Sequence, residues 1–166
     1  AAGHLVSAES GQGLTHVRAD GSAHMVDVSA KPVTAREASA AGRVLLSDKA
    51  VAALRSGNVT KGDALAVARV AGIGAVNRTS VLIPLAHPIA VHAVSVDLCV
   101  VDAGVEIRAT VRTADRTGIE MEALTAVAVA ALTVIDMVKA IDKQGRNTDI
   151  RVTAKSGGRS GDWVEA

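Results

Sequence analysis

Four ionisable residues are set into the most apolar stretch of this chain. The segment from Arg116 to Lys143 reads R-T-G-I-E-M-E-A-L-T-A-V-A-V-A-A-L-T-V-I-D-M-V-K-A-I-D-K, with Glu120 and Glu122 near one end and Asp136 and Lys139 near the other. A charge withdrawn from water is costly unless it is paired, so charges in such a run are either expensive or useful. Glu120 and Glu122 form a carboxylate pair; taken alone, they read as a solvated helix start. Asp136 and Lys139 are neighbours at i,i+3, where an exposed pair contributes only a few tenths of a kcal/mol. In so apolar a helix the lysine is expected to be partly buried. It would then lose pKa units and become a usable acid or base.

Other polar positions carry weaker signals. Lys61-Gly62-Asp63 is either a loop lysine able to do chemistry or an ordinary helix entry. His87, held between Ala86 and Pro88, is a positioned acid or ligand, or merely exposed. The chain has five His, none at H-x-x-x-H or similar spacing, so no protein metal site is legible. Lys155-Ser-Gly-Gly-Arg-Ser-Gly offers cations and free backbone N–H groups that suit phosphate, although it is no Walker motif. Arg36, by itself, is a charge on a strand surface. Trp163 reads as a surface anchor for the tail.

The elements that must hold these groups follow from periodicity and turn chemistry. The uncharged run Ala123–Ile135 is too short for the roughly 20 residues of a bilayer span. Its length and lack of turn signals predict one long helix. Glu122 and Asp136 lie within about 40° of each other around its axis, giving one polar stripe continued by Thr125 and Thr133. Glu120 falls about 200° from Glu122, so it is expected in extended chain just before the helix. Thr34–Leu46 alternates and predicts a strand. Ser47 caps a short helix, Asp48–Arg55, ended by Gly57-Asn58, and Asp63 caps another from Ala64 to about Leu82, stopped by Pro84. Val91–Val101 and Val105–Val111 alternate around Asp102-Ala103-Gly104 as a hairpin, and Asp149–Lys155 is a last strand. From Thr34 the order is β, α in two pieces, β, β, α, β. That is the ferredoxin-like (split βαβ) plait, an α+β fold with an antiparallel sheet and helices on one face. The other face, expected to be rich in Val, would need a second subunit. Residues 1–13 read as a flexible tail and 14–166 as a single catalytic domain.

Composition removes several classes. The 166 residues are 49% hydrophobic and 21% charged, enough for a real core. There is no Phe or Tyr and one Trp, so the core is aliphatic and base-stacking platforms are absent. A net charge of +1 gives no general attraction to nucleic acid or to an anionic membrane. Cys99 is alone, which fits a reducing, cytoplasmic compartment, and no signal-peptide pattern opens the sequence.

Taken in order, the blocks H-M-V-D-V-S-A-K (24–31), T-A-R-E-A (34–38), K-G-D (61–63), A-R-V-A-G-I (68–73), L-I-P-L-A-H-P (82–88), T-G-I-E-M-E-A-L-T-A (117–126), D-M-V-K-A (136–140) and A-K-S-G-G-R-S-G-D (154–162) are distinctive. The set closely resembles the cyclic pyranopterin monophosphate synthase family, the C proteins of molybdenum-cofactor biosynthesis, over roughly residues 14–163. Two departures stand out. Ala86 replaces the family's common cysteine, which removes any thiol nucleophile there, and Arg159 replaces a frequent second lysine.

The resemblance implies a lyase that rearranges 3′,8-cyclo-7,8-dihydroguanosine 5′-triphosphate to a cyclic pyranopterin phosphate and releases pyrophosphate. It implies Asp136 at the catalytic position and Lys61 and Lys139 as acid–base lysines. Leu85, Ala86, His87, Glu120, Met121 and Glu122 would bind substrate, and Arg36 and Lys155 the phosphates. No tightly bound cofactor is implied, though Mg²⁺ could accompany the triphosphate. A homohexamer, a trimer of dimers with shared active sites, is the implied assembly. Two other readings of the residues stand beside this one: a non-catalytic nucleotide- or anion-binding plait, and an oligomeric scaffold built on the Ala/Val-rich helix. Neither gives a reason for an acid set among lysines.

Overall fold

A computed structural model describes residues 18–166; the expected tail at residues 1–13 lies outside them. The elements run β1 (Thr34–Leu45), α1 (Asp48–Ser56), α2 (Ala64–Val76), α3 (Thr79–Leu82), β2 (Ala93–Val101), β3 (Gly104–Asp115), α4 (Glu120–Val138), β4 (Arg146–Ser156) and β5 (Trp163–Val164). The sheet order is β2-β3-β1-β4-β5, with every pairing antiparallel. Its first four strands are those of the ferredoxin-like plait. The two-residue β5, which holds Trp163 against Lys155, extends the edge beyond what alternation predicts.

Local chemistry sets the helix ends. The Ser47 hydroxyl accepts from the Ala50 N–H and the Asp63 carboxylate from the Ala66 N–H, so both caps form as expected. The stretch after Asp63 is not one helix. It breaks at Asn77-Arg78 and resumes as α3, with the Thr79 hydroxyl donating back to the Val76 carbonyl. The helix α4 starts at Glu120 rather than after it, which corrects the extended placement of that residue. It ends at Val138, leaving Lys139 as the C-cap.

This helix packs against both α2 and the sheet; it is long and apolar enough to cross a membrane, yet it is a core helix. Ala123, Ala126, Val127, Ala130, Ala131 and Val134 are fully buried. Its small side chains permit a close crossing with α2: a Cβ on Gly72 would lie 2.9 Å from the Ala126 carbonyl oxygen. Helices cover the Val-rich side of the sheet, where Val44, Val96, Val105, Ile107 and Val111 are buried.

The open side is therefore polar, contrary to the expectation of an uncovered Val-rich face. It carries Arg43–Glu106 (2.5 Å), Arg112–Glu37 (2.6 Å) and Arg151–Glu165 (2.5 Å) ion pairs and a Ser39–Thr110 hydroxyl bond (2.8 Å). The helical layer exposes apolar side chains at Val67, Val70, Val81, Leu82 and Leu132.

Candidate active site

The two ends of α4 hold two separate sets of functional side chains. At its N-terminal end a cavity of about 260 Å³ is lined by Leu85, Ala86, His87, Met121 and Glu122. Ile83, Ile89, Thr117 and Gly118 complete it. Five of the expected substrate residues thus meet at one place.

The loop between α3 and β2 is pinned there by the end of β3. The Asp115 carboxylate accepts from the Ala90 N–H (3.1 Å) and the Arg116 N–H (2.7 Å), and the Thr113 hydroxyl donates to the Ala90 carbonyl. These N–H groups, that of Arg116 first, hold Asp115 below the usual carboxylate range. The His87 ring Nε2 pairs with the Val26 carbonyl at 2.5 Å, which draws the extended segment before Pro32 over the loop. Asp115 and Thr113 hold the cavity's wall, and neither stood out from residue type or spacing. Gly118 and Thr117 belong to the same wall; the T-G step before I-E-M-E was the available signal.

Glu122 is not a solvated helix-start acid. It is 3% exposed, and its Oε2 has no hydrogen-bond partner. Burial pushes its carboxyl up to about 7; its own backbone N–H pulls the other way, and Glu120 and Asp115 add repulsion. Glu120 leaves from another side of the helix, as the angular separation requires, and meets Lys155 on β4 at 3.4 Å.

Lys155 and Glu120 share a narrow niche with Arg36, directly across Gly118 from the cavity. Arg36 donates from Nε to the Asp115 carbonyl at 3.1 Å, so it is more than a strand-surface charge. The glycine loop after β4 fits around it. Gly158 has φ 76°, and a Cβ there would run into the Arg36 guanidinium. Gly157, with φ 83° and the Ala35 carbonyl oxygen where its Cβ would be, is required for the same reasons of backbone conformation and close approach. Lys155 Nζ also reaches the Ser160 hydroxyl at 2.5 Å.

At the C-terminal end of α4, Asp136 sits between two ammonium groups. Lys139 Nζ lies 2.8 Å from Oδ1 and Lys61 Nζ 3.0 Å from Oδ2. All three side chains are about half exposed, which corrects the expectation of a partly buried lysine. The hydrogen bonds from Lys139 and Lys61 hold Asp136 below its ordinary range, and Asp136 raises Lys139 above its own. Asp136 thus favours the protonated form of Lys139.

Glu122 and Asp136 are fourteen helical positions apart, about 21 Å along the axis. One chain does not bring the two sets together. Among the described residues, no group of three or more His, Cys, Asp or Glu could hold a metal ion.

A lysine–aspartate–lysine cluster, a buried acid lining a cavity and a cationic niche on a plait are the residue types that an enzyme of acid–base chemistry uses. The family model described as the MoaC family matches residues 25–158. The chain is 64% identical over 153 residues to cyclic pyranopterin monophosphate synthase of Nocardioides sp., covering 90% of this chain and 94% of that protein. It is 61% identical to cyclic pyranopterin monophosphate synthase of Streptomyces coelicolor, covering 92% of this chain and 90% of that protein. It is also 55% identical to cyclic pyranopterin monophosphate synthase 2 of Mycobacterium tuberculosis, covering 91% and 90%. The chain belongs to the MoaC family.

Proposed function

We propose that the protein is a lyase of molybdenum-cofactor biosynthesis with the activity its relatives are named for. It would convert 3′,8-cyclo-7,8-dihydroguanosine 5′-triphosphate to cyclic pyranopterin monophosphate and pyrophosphate. The observation that carries this reading is Asp136 held between Lys61 and Lys139. Binding alone needs cations; it does not need an acid that fixes the protonation of a lysine.

The rearrangement opens a five-membered ring, forms a pyran and closes a cyclic phosphate. Each step moves a proton, and the leaving pyrophosphate needs its charge neutralised. Lys139, kept protonated by Asp136, serves as the acid, and Lys61 is the second acid–base lysine, on the other oxygen of Asp136. Arg36 and Lys155 hold phosphate oxygens by charge-assisted hydrogen bonds. Any Mg²⁺ would arrive on the triphosphate. The cavity receives the ring system, and the apolar side chains of Leu85 and Met121 lie against it.

The separation of the two sets along α4 supports a site completed by another subunit, with the cavity and niche of one chain facing the Lys–Asp–Lys cluster of the next. The exposed Val67, Val70 and Val81 supply apolar surface for such an assembly, which we take to be a hexamer. A cytoplasmic setting suits a substrate derived from GTP.

Incubation with the cyclised dihydro-GTP tests the activity: pyrophosphate and a pterin are the expected products, and their absence would return the protein to a binding role. Co-expression of the Lys61→Ala and Arg36→Ala chains tests the shared site. Partial activity in mixed oligomers of two inactive chains is expected. A stable monomer by light scattering at micromolar concentration would remove the shared site.

A further inference from the structure

The backbone ladder between β2 and β3 stops short of the cavity, and side chains take over where it ends. Its last paired residues are Ala93 and Arg112. One more backbone bond follows, from the His92 N–H to the Arg112 carbonyl at 2.9 Å. A regular antiparallel ladder would continue with a bond from the Ala114 N–H to the Ala90 carbonyl. Two side-chain bonds stand in its place. The Thr113 hydroxyl donates to the Ala90 carbonyl, and the Ala114 N–H donates to Nδ1 of the His92 ring at 3.3 Å. The Asp115 carboxylate then accepts from the Ala90 N–H at 3.1 Å. The loop 83–92 is thus stitched to the end of β3 largely through His92, Thr113 and Asp115. Ile89, beside Ala90, is in the cavity wall, and so are Ala86 and His87, while His92 is not.

We propose that His92 is a positioning residue for the cavity: its neutral ring fixes the loop 83–92 against β3, and a proton on Nδ1 releases it. A ring nitrogen that accepts from a backbone N–H carries no proton, so the neutral ring holds its proton on Nε2. Protonation turns Nδ1 into a donor and sets it against the Ala114 N–H. Of the three stitching side chains, only an imidazole changes charge in the physiological range. Thr113 does not ionise, and Asp115 is held charged, first by the Arg116 N–H. The carboxylates on the neighbouring strands are engaged elsewhere. Glu37 on β1 pairs with Arg112, and Asp115 takes the N–H groups of Ala90 and Arg116. The remaining charged groups there are cations: Arg36 on the Asp115 carbonyl and Arg116 after β3, while His87 on the same loop pairs with Val26. The stitch is therefore present at neutral and alkaline pH and is lost as pH falls through the titration of the ring.

Two measurements on the assembled protein test this, with two variants. His92→Asn keeps an acceptor near the place of Nδ1 and does not titrate, whereas His92→Leu keeps bulk and has no acceptor. The first measurement is hydrogen exchange of the backbone over residues 86–92 and 112–116, corrected for intrinsic rates. At pH 8 the parent and His92→Asn should be equally protected and His92→Leu less so. At pH 5.5 the parent should exchange like His92→Leu, while His92→Asn keeps its protection. Equal protection in all three proteins at both pH values overturns the proposal, and so does a loss at pH 5.5 that His92→Asn shares in full.

The second is equilibrium binding of the cyclised dihydro-GTP in an Asp136→Asn background, which prevents turnover; this arm alone rests on the proposed substrate. At pH 8 His92→Asn should bind as the background does, and His92→Leu about three- to tenfold more weakly, the net worth of one hydrogen bond. Between pH 8 and pH 5.5 the affinity of the background should fall by the same factor relative to His92→Asn and meet that of His92→Leu. Other titrations in the site, that of Glu122 among them, are common to both proteins and cancel in this ratio. A ratio that stays constant with pH, beside the expected exchange pattern, means that the stitch does not position the cavity and overturns the proposal. If no protein binds the compound at either pH, the assigned substrate fails, and the exchange pattern by itself decides whether His92 holds the loop.

Discussion

The helix α4 carries an acid near each end, and the two have opposite fates. Glu122 is enclosed, unpaired at one oxygen and raised to about 7, whereas Asp136 is half exposed, doubly paired with lysines and lowered. The two lie within about 40° around the axis, so residue type and helical face do not distinguish them. Position along the axis does. The N-terminal end lies beneath the loop before β2, while the C-terminal end is met by the turn at Lys61, which brings a cation. One helix therefore carries an enclosed acid whose burial favours its proton at one end and a paired acid whose lysines favour its charge at the other. A reaction that needs both a recognised heterocycle and mobile protons has a use for each.

The sharpest break of this comparison is at the exposed end. Asp136→Asn, Lys61→Ala and Lys139→Ala should each fold and assemble but lose turnover by on the order of a hundred- to ten-thousand-fold. Asn is nearly isosteric with Asp but removes the charge that keeps Lys139 protonated. Single-turnover rates with the cyclised dihydro-GTP check this. Turnover near the parent level in all three would make the cluster a surface salt bridge.

The buried end breaks differently. The unfolded chain ionises Glu122 near 4.5, while the folded chain keeps the proton to about 7. The folded state binds more protons between those values, so stability falls as pH rises through that window and stays level above it. Glu122→Gln removes this loss. At pH 8 it should be more stable than the parent by on the order of 2 kcal/mol, less than the full shift allows because water at the cavity mouth screens the charge. At pH 4 the two should be alike. Denaturant midpoints at both pH values check it, and equal differences at both would mean that packing, not the proton, sets the effect.

Beside the buried end lies the niche of Arg36 and Lys155. Arg36→Ala and Lys155→Ala should each weaken triphosphate binding by roughly ten- to a hundredfold, the worth of a hydrogen bond to a charged group, with little effect on the nucleoside. Calorimetric titration with both ligands measures this. An equal loss for both would mean that the pair shapes the cavity rather than reading phosphate.

Much of the fold was legible because its turns are written in short-range chemistry. Ser47, Gly57, Asp63 and the Asp102–Gly104 hairpin each specify a local geometry, and each is found where the residue types put it. What lay beyond reach was three-dimensional in origin. Alternation says that a strand has two faces; it does not say which one the helices take, so the Val face was assigned to solvent. A helical wheel has no axial coordinate, so Glu122 and Asp136 looked alike. Glu120 was placed outside the helix because it could not share their stripe, but its partner Lys155 sits on β4, off that stripe. Contact between Lys61 and Asp136, 75 positions apart, follows from α2 and α4 packing side by side, and only the family resemblance had joined them.

The smallest expected effect sharpens the comparison most. Asp136→Asn should leave the melting temperature unchanged within error, at low salt and at high salt. Lys61, Lys139 and Asp136 are about half exposed, where ionic attraction is offset by the ordering of long side chains and screened by solvent. Loss of one exposed charge strands nothing in the interior, because both lysines keep their water. Glu122→Gln, made in the same helix with the same change of chemistry at the carboxyl, should move stability at pH 8 and not at pH 4. A melting temperature that drops for Asp136→Asn, with turnover kept at a permissive temperature, would mean that this end of α4 is held by its ion pairs. The contrast between the two acids would then be one of structure at both ends, not of structure at one and chemistry at the other.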